Sequence, residues 1–558
     1  MALYRIRERR VYWRWFAELD LEGGPTLRLS GDAARWLRPG DEVELNATGR
    51  AEVLDKDEYE LKAQGVPVWP PFGSEELKQP DGSRLRAREA HTEADYEAIA
   101  ALERYQDAGS KAVWRCPDGS RRKAAAKPRC GRGWGRLLEV AGSSPASRFL
   151  ILEALDPAPA SAHVVAYLRL DPPLPTWSRR TPAGPERGVR ERAFPPPWFS
   201  PTYDPKALLP AGRPCRVAIQ DALDALRPAA ARIGRLLVHP DRRGRGLGAL
   251  LVRQALSWVS ERAIPDGRRE KELVCAHWRE AAFNPLFERV GFRYLGEGVF
   301  GEALLAYPLS DAAAGRLRRF LNNDLPAREH GGRLWRAPYP RQAGLPGPLV
   351  FQGAGKSLAP ASRAGGRRWL LRDVNLRLPP GKVSLLWGEA EAAKTALLRL
   401  LWDDLPDEGW VDAPPGRVAA HLPGAEATLP AGTVLELTAA RLGDVAVAAG
   451  LLSRLGLADS LLWNLPPERL SPAQLERLRL ALLLAGRPDL LLVDRPAAHQ
   501  DAAGAYWLAR SLAALAREGN VTLVAASSRP EVRAGLAADR LVLVGFDSVR
   551  AAPGDRPV

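Results

Sequence analysis

One stretch of the chain, "RIGRLLVHPDRRGRGLGALLVRQALSWVSERA", combines residue types suited to holding a pyrophosphate. Its apolar run ends at Val238 and predicts a strand, and a proline-marked turn then leads through glycines and arginines into a long helix. The first N–H groups of a helix have no intrahelical acceptor and lie at the positive end of the helix dipole, so they attract anions. Glycine allows close approach to the backbone, and arginine adds charge. The cofactor-binding candidates here are Val238, Arg243, Gly244, Arg245, Gly246, Leu247 and Gly248.

This stretch and the segments after it resemble the GCN5-related N-acetyltransferases (GNAT). "KELVCAHW" predicts the next strand, and "EAAFNPLFERVGFRYLG" predicts a helix and a return strand in the order that family uses. The family's Arg/Gln-x-x-Gly-x-Gly/Ala loop is matched by Arg243, Gly246 and Gly248. Its asparagine, aromatic and Gly-Phe pattern is matched by Asn284, Phe287, Gly291 and Phe292. The resemblance implies a mixed sheet and transfer of an acyl group, most simply acetyl, from acetyl-CoA or another acyl-CoA to an amine.

The proton-transfer groups of this reaction are less clear. Many relatives carry a tyrosine at the position of Phe287, whose ring cannot protonate a departing thiolate. The nearest titratable candidates for a base or relay are His277, Glu280 and Cys275, and each also has a structural explanation. Water is the alternative proton carrier. Positioning the two reactants side by side already supplies much of the acceleration, so the reaction depends less on a side chain that transfers protons.

The last two hundred residues contain a second phosphate-binding pattern. "KVSLLWGEAEAAKTALLRLL" predicts a strand, a loop and a helix, with a lysine and a hydroxyl residue placed as in a P-loop. Together with "LSPAQ" and "LLLVDRP" it resembles the nucleotide-binding domain of ABC-type ATPases, with Asp501 in the loop that follows. The ATP-binding candidates are Gly388, Lys394, Thr395, Ser471, Gln474 and Asp494. Thr395 and Asp494 are the candidate ligands of Mg²⁺.

Several positions depart from that family's pattern. They are Glu389, Glu391, Ala393, Pro472, Ala473, Arg495 and Ser528. Glu389 and Glu391 bring carboxylates into the phosphate loop, and Arg495 and Ser528 replace the glutamate and histidine that orient the attacking water. We expect ATP binding without turnover, with a scaffold or dimerisation platform as the alternative. A homodimer would form through this domain.

The length of 558 residues and 46% hydrophobic content support several cores. We predict a multidomain α/β protein with a small antiparallel β domain at 1–75, a GNAT domain at 87–308, a linker at 309–345 and a degenerate ABC-type domain at 346–558. This order resembles prokaryotic and phage ABC-type ATPases fused to an acetyltransferase.

A net charge of +14 favours polyanionic partners. The acceptor we expect is an amine on nucleic acid, either tRNA or a modified DNA base. The alternatives are a protein or small amine, or a non-catalytic nucleic-acid-binding regulatory protein. The string Tyr12, Trp13, Arg14, Trp15 suits either base stacking or the two faces of a strand. Without a long apolar run or a secretory start, we expect a cytoplasmic protein and no membrane partner.

Two further segments attract attention. Cys116 and Cys130 flank a basic loop and form either a disulfide-closed hairpin or two free thiols, and their spacing does not suit zinc. The proline-rich stretch from about Trp177 to Arg213 is expected to lie outside the core and to face the acceptor.

Overall fold

A computed structural model describes most of the chain and groups it into two compact units. The first unit comprises Met1–Gln79, Ser83–Asp241 and Gly246–Trp335, and the second comprises Pro80–Gly82, Arg242–Arg245 and Arg336–Val558. The described residues are 2–13, 16–30, 39–45, 51–53, 67–68, 71–105, 113–115, 121–123, 137–139, 147–156, 163–174, 176–199, 228–265, 269–282, 284–334, 339–358, 368–424, 428–545 and 548–555. Arg14, Trp15, Cys116 and Cys130 lie outside them.

The first unit is built mainly from strands. They are β1 (Ala2–Trp13), β2 (Phe16–Leu21), β3 (Thr26–Ser30), β4 (Glu42–Leu45), β5 (Ala51–Val53), β6 (Pro67–Val68), β7 (Leu77–Lys78), β8 (Arg84–Glu89), β9 (Val113–Arg115), β10 (Arg121–Lys123), β11 (Leu137–Glu139), β12 (Arg148–Ala154), β13 (Val164–Asp171), β14 (Arg179–Thr181), β15 (Gly184–Glu186), β16 (Ala230–Val238), β17 (Leu273–Trp278), β18 (Arg293–Glu297) and β19 (Ala303–Pro308). The helices are α1 (Glu93–Glu103), α2 (Val189–Ala193), α3 (Leu247–Arg262), α4 (Leu286–Val290), α5 (Asp311–Asn323) and α6 (Leu325–His330).

The antiparallel sheet predicted for the start of the chain is present. Its six strands lie in the order β3-β2-β1-β4-β5-β6, and every neighbouring pair is antiparallel. In β2, Leu19 and Leu21 are buried and Asp20 between them is partly exposed, which is the alternation that a sheet with one covered face requires. This sheet belongs to the first unit.

The mixed sheet predicted for the GNAT region has eight strands in the order β18-β19-β17-β16-β13-β12-β8-β7. β16 and β17 are parallel neighbours. The connection between them contains helix α3 and is long enough for the crossover that parallel strands require. The register of this pair runs from Ala230 opposite Leu273 to Ile233 opposite Ala276. Beyond those residues β16 stays paired with β13, and β17 stays paired with β19. The two strands therefore part, and His277 and Trp278 lie on the β17 side of the opening.

Part of the proline-rich stretch differs from expectation. Trp177, Phe194 and Phe199 are almost fully buried and pack with β17, β19 and α5 in one apolar cluster. The expectation that this stretch lies outside the core is wrong for 176–199, because clustered aromatics outweigh the loop-like proline content. Residues 200–227 lie outside the described part.

The beginning of the predicted linker also belongs to the first unit. Helix α5 buries Ala313, Leu317 and Phe320 in the same apolar cluster, and α6 buries Ala327 there. Apolar spacing of three and four residues gives α5 a buried stripe that linkers lack, so the linker assignment is wrong for these two helices.

The second unit has the alternating strands and helices of a parallel α/β fold. Its strands are β20 (Leu349–Leu358), β21 (Arg368–Leu378), β22 (Val383–Trp387), β23 (Glu408–Asp412), β24 (Val418–His421), β25 (Leu490–Asp494), β26 (Thr522–Ser527), β27 (Arg540–Val544) and β28 (Val549–Pro553). Its helices are α7 (Glu391–Arg399), α8 (Val434–Leu442), α9 (Val445–Arg454), α10 (Ser460–Trp463), α11 (Pro472–Ala485), α12 (Ala502–Gly519) and α13 (Pro530–Leu536).

Two sheets organise this unit. The larger has the order β24-β25-β26-β22-β27-β28 and is parallel except for the β27–β28 pair. The smaller is antiparallel, with the order β21-β20-β23. The buried strands β22, β25 and β26 end beside one another, where a parallel α/β sheet places ligands. Among the described helices of the whole chain, none is both long and apolar enough to cross a membrane.

We predict that Gly234→Ala destabilises the first unit by about 1–3 kcal/mol, because the site is overpacked. An added Cβ would lie 1.8 Å from Asp171 Oδ2, and that carboxylate is buried. Gly315→Ala is the control, since its Cβ would meet nothing within 4 Å and alanine favours the helix by about 0.5–1 kcal/mol. Urea unfolding of both variants measures the difference, and equal stability of the two would contradict the packing account.

Candidate functional site

The predicted pyrophosphate loop connects β16 to α3. The strand ends at Val238 as predicted, a 3₁₀ turn covers Pro240–Arg242, and Gly244 and Gly246 have φ of 77° and 74°. These left-handed values favour glycine. Gly246 is the N-cap of the 16-residue helix α3, and no side chain caps it. The first-turn N–H groups therefore stay available to an anion, which suits the pyrophosphate of a CoA thioester.

Several positions of the loop also make contacts within the protein. A Cβ on Gly248 would lie 2.5 Å from Leu286 Cδ1, so this glycine lets α3 pack against α4. Within the second unit, Arg243 Nη1 lies 2.8 Å from Asp459 Oδ2, and Arg245 Nη2 lies 3.0 Å from Asp501 Oδ2. Both guanidinium groups are thus in ion pairs, whereas no side chain caps the first backbone N–H groups of α3.

His277 lies where β16 and β17 part. Its ring meets the Trp177 ring edge to face, with centroids 5.3 Å apart. Its Nε2 atom is buried and has no hydrogen-bond partner among the described residues. Burial, and then the positive charge of Arg232, lower the pKa of His277 to about 3. The imidazole is therefore neutral near pH 7, and a buried polar atom without a partner is a candidate contact for a ligand.

The other two catalytic candidates differ from His277. Cys275 is fully buried in the paired part of β17, and its Sγ donates to the Ala231 carbonyl at 3.3 Å. Burial raises the pKa of its thiol to about 12, so it stays protonated and has a packing role. Glu280 lies in the turn Arg279–Ala282, and its side chain lies outside the described part.

Asn284 and Phe287 organise the segment after β17. The Asn284 Oδ1 accepts a hydrogen bond from the Leu286 N–H at 3.2 Å and orders the start of α4. Phe287 is buried between Trp278 and Phe292, with ring centroids 5.2 and 5.1 Å away. The aromatic at this position therefore serves the core and leaves the thiolate-protonating role without a hydroxyl.

Sequence reasoning missed a buried charged cluster on the His277 face of the sheet. Asp171 accepts hydrogen bonds from Ser147 at 2.6 Å, Arg232 at 2.8 Å and Arg169 at 2.9 Å. Arg232 lies directly opposite Cys275, so its side chain shares the face of His277 two residues further on. Within this cluster, Arg232 contributes positive charge that acts on His277. The signal lay in the charged residues of "LRLD" and "ARIGR", and only strand register reveals their shared face.

The P-loop elements of the second unit come together. The Lys394 side chain is fully buried, and its Nζ donates to the Gly388 carbonyl and to Glu391 Oε1. Gly388 has φ of 151°, and a Cβ there would lie 2.0 Å from the Val544 carbonyl oxygen. The Thr395 hydroxyl donates to Asp494 Oδ2 at 2.6 Å. The lysine, the hydroxyl and the strand-end carboxylate thus meet as the sequence predicts.

Asp494 and Thr395 suit a magnesium ion. Asp494 is 4% exposed, burial raises its pKa, and its Oδ1 has no hydrogen-bond partner among the described residues. Carboxylate and hydroxyl oxygens are ligands that Mg²⁺ accepts. The described residues hold no group of three or more His, Cys, Asp or Glu side chains placed for a metal, so the other ligands would come from phosphate and water.

The remaining nucleotide candidates are engaged elsewhere or altered. Ser471 and Gln474 form a reciprocal capping box at the start of α11: the serine Oγ accepts from the Gln474 N–H, and the glutamine Oε1 accepts from the Ser471 N–H. Pro472 occupies the first helical position. Arg495 is exposed and has φ of 48°, and Ser528 is also exposed.

Family models match two regions of the chain. The acetyltransferase (GNAT) family matches residues 215–292, and the ABC transporter family matches residues 371–498. The chain is 32% identical over 188 residues to the aliphatic sulfonates import ATP-binding protein SsuB 1 of Paracoccus denitrificans, which covers 33% of this chain and 76% of that protein. It is 31% identical over 133 residues to the zinc import ATP-binding protein ZnuC 2 of Hahella chejuensis, spanning 23% of this chain and about half, 54%, of that relative.

Solved structures of the ABC class are also similar. A dimeric bacterial ABC transporter cassette aligns with a TM-score of 0.31 and 19% identity, covering 37% of this chain and 98% of that one. The cbiO1 protein from Clostridium perfringens, part of the ABC transporter complex cbiONQ, aligns with a TM-score of 0.30 and 17% identity, covering 37% and 88%.

The chain belongs to the ABC-type ATP-binding family. More particularly, it is a fusion of an ABC-type ATPase domain with a GNAT acetyltransferase domain, and the second of these makes it an acyltransferase.

We predict that His277 makes stability depend on pH. The imidazole titrates at an ordinary pKa of 6.5 when the chain is unfolded and at about 3 when folded. Its contribution is therefore complete above about pH 6.5 and declines as pH falls, by up to about 1.4 kcal/mol per pH unit. The free energies of unfolding of the unmodified protein and of His277→Asn, compared from pH 7 downward, measure it. A difference that stays constant over this range would refute the buried neutral imidazole.

Proposed function

We propose that the protein transfers an acyl group, most simply acetyl, from acyl-CoA to an amine of a nucleic acid, at the opening between β16 and β17. The observation that carries this proposal is the neutral His277 Nε2, buried without a partner among the described residues, beside the opening from which β16 runs on to the anion-binding start of α3. His277 would contact the amine that accepts the acyl group, and the start of α3 would contact the acyl-CoA that donates it. Both features belong to one sheet.

The donor side rests on backbone groups. The first-turn N–H groups of α3, with Gly246 as N-cap, would hold the pyrophosphate of the CoA thioester, which supplies the activated acyl group. The parted strands leave the inner edge of residues 234–237 without a pairing to β17 among the described residues, so its backbone polar groups could orient a ligand.

The acceptor side rests on His277. The amine forms a bond to the acyl carbon and loses a proton, while the carbon–sulfur bond breaks and the thiolate gains one. A neutral imidazole can accept a hydrogen bond from the amine and hold its lone pair toward the donor. With its pKa so far depressed, His277 serves to position the amine and to relay the proton through water.

Basic side chains favour a nucleic acid acceptor. On α5, Arg316, Arg318 and Arg319 are exposed and have no carboxylate partner among the described residues. The Arg316 guanidinium lies 6.0 Å from the Trp198 ring, in the aromatic cluster that also contains Trp177. A net charge of +14 adds long-range attraction for phosphodiester chains.

In the second unit we propose weak ATP binding through Lys394 and Thr395, with Mg²⁺ at Thr395 and Asp494, and no appreciable hydrolysis. Arg495 and Ser528 stand where the water-orienting groups of ABC-type ATPases lie, and neither can act as a base toward water. This unit would then serve as a clamp or as a platform for a homodimer.

For the donor, we predict that Gly246→Asp weakens binding of acetyl-CoA at least about tenfold, because a carboxylate would face the pyrophosphate. Gly246→Asn is the matched control, since asparagine also tolerates a left-handed φ and carries no charge. Isothermal titration calorimetry with acetyl-CoA gives both affinities. Equal affinities for the two variants would place the donor elsewhere.

For the acceptor, we predict tRNA binding that weakens steeply with salt and depends on α5. Reversing Arg316, Arg318 and Arg319 to glutamate should lower the slope of log affinity against log salt by about 2–3, since each lost phosphate contact removes about 0.7–0.9. The control reverses Arg368, Arg372 and Arg377, which are exposed along β21. Filter binding gives the slopes, and thiol release from acetyl-CoA in the presence of tRNA or duplex DNA reports transfer. Equal slopes in both variants, with transfer to small amines only, would establish the small-amine alternative.

A further inference from the structure

Glu391 places a carboxylate inside the phosphate-binding loop of the second unit. It is the first residue of α7 and lies three residues before Lys394. Its Oε1 accepts a hydrogen bond from Lys394 Nζ at 2.9 Å, and the same ammonium donates to the Gly388 carbonyl. In a P-loop this lysine contacts the terminal phosphates of the nucleotide. Here a carboxylate oxygen of the chain takes that contact.

The altered positions around the loop stabilise this carboxylate. Burial by itself would raise the pKa of Glu391, but the hydrogen bond from Lys394, the influence of Ser528, and the charges of Lys394 and Arg495 outweigh it and hold the pKa below its usual value. Arg495 and Ser528 are the residues that replace the glutamate and histidine of an ABC-type ATPase. The two departures that we propose to prevent hydrolysis are thus also groups that favour a charged Glu391.

A nucleotide would meet opposing charge in this arrangement. Asp494 is buried, and the charge of Glu391 contributes to raising its pKa, so the two carboxylates are electrostatically close. A triphosphate at Lys394 would have to break the Glu391 ion pair and approach both carboxylates. Glu389, the other acidic residue of the loop, is exposed.

We infer that Glu391 is an internal ligand of the P-loop, which closes the site against nucleotide until its carboxylate is displaced. The Glu391 carboxylate thus occupies the contact with Lys394 that a nucleotide phosphate would use. This inference rests on contacts within the second unit and does not depend on the proposed acyl transfer.

The test measures binding of MgATP and MgADP to the full-length protein by isothermal titration calorimetry. Glu391→Gln keeps the side-chain size and removes the charge, and we expect it to bind at least about tenfold more tightly than the unmodified protein, since one lost ion pair and one lost repulsion act together. Glu391→Gly, which removes the whole side chain, should show the same gain. Adding Lys394→Ala to Glu391→Gln should abolish it.

Glu389→Gln is the matched control, because it removes the same charge two residues away. The inference is supported if this variant binds nucleotide like the unmodified protein while both Glu391 variants bind more tightly. It is overturned if the unmodified protein already binds as tightly as Glu391→Gln, or if Glu389→Gln gains as much, because the effect would then be one of net charge. Circular dichroism of each variant confirms that the second unit is folded before binding is compared.

Discussion

The opening between β16 and β17 is the constraint on which the acyltransferase unit depends. The crossover helix α3 makes these strands parallel, and their pairing ends after Ile233 and Ala276. Beyond that point the described pairing partner of each strand lies on its outer side, β13 for β16 and β19 for β17. Backbone groups at an unpaired inner edge must find other partners, so the sheet itself prepares a place for a ligand. The same strand continues to Val238 and delivers the chain to the start of α3.

Burial sets the protonation state of the His277 and Cys275 side chains near this opening. Asp171 accepts hydrogen bonds from two guanidinium groups. Burial, followed by the positive charge of one of them, Arg232, lowers the pKa of the neighbouring His277, so its imidazole is neutral near pH 7. A neutral His277 can receive a hydrogen bond from an amine, whereas a charged imidazolium would repel a protonated one. Cys275, one residue pair away in the closed part of the sheet, is kept inert by the same burial. Cys275 and His277, two positions apart on one strand, therefore differ in their contacts: the thiol donates to a backbone carbonyl, and the imidazole Nε2 has no hydrogen-bond partner among the described residues.

The second unit shows how a nucleotide fold is changed while its architecture persists. Its sheet order, the Thr395–Asp494 hydrogen bond and the buried Lys394 are all present. What differs is the charge around the lysine, where Glu391 takes the contact that a phosphate would make. Burial would raise the pKa of that carboxyl, but Lys394, together with Ser528 and Arg495, holds it below its usual value, so substitutions that are scattered in sequence act on one carboxylate.

The sequence by itself determined the class of both nucleotide-binding units, because glycines, lysine and hydroxyl residues at fixed spacing after a strand are local signals. It also determined the ends of β16 and β25, since apolar runs stop where the turn residues begin. Only the tertiary structure decided which of Glu389 and Glu391 enters the loop, because helix position sets the direction of each side chain. It likewise decided that Trp177 and Phe199 belong to the core and that Asp171, Arg232 and His277 share a face. Those contacts join residues tens of positions apart, and strand register, which local sequence does not encode, brings them together.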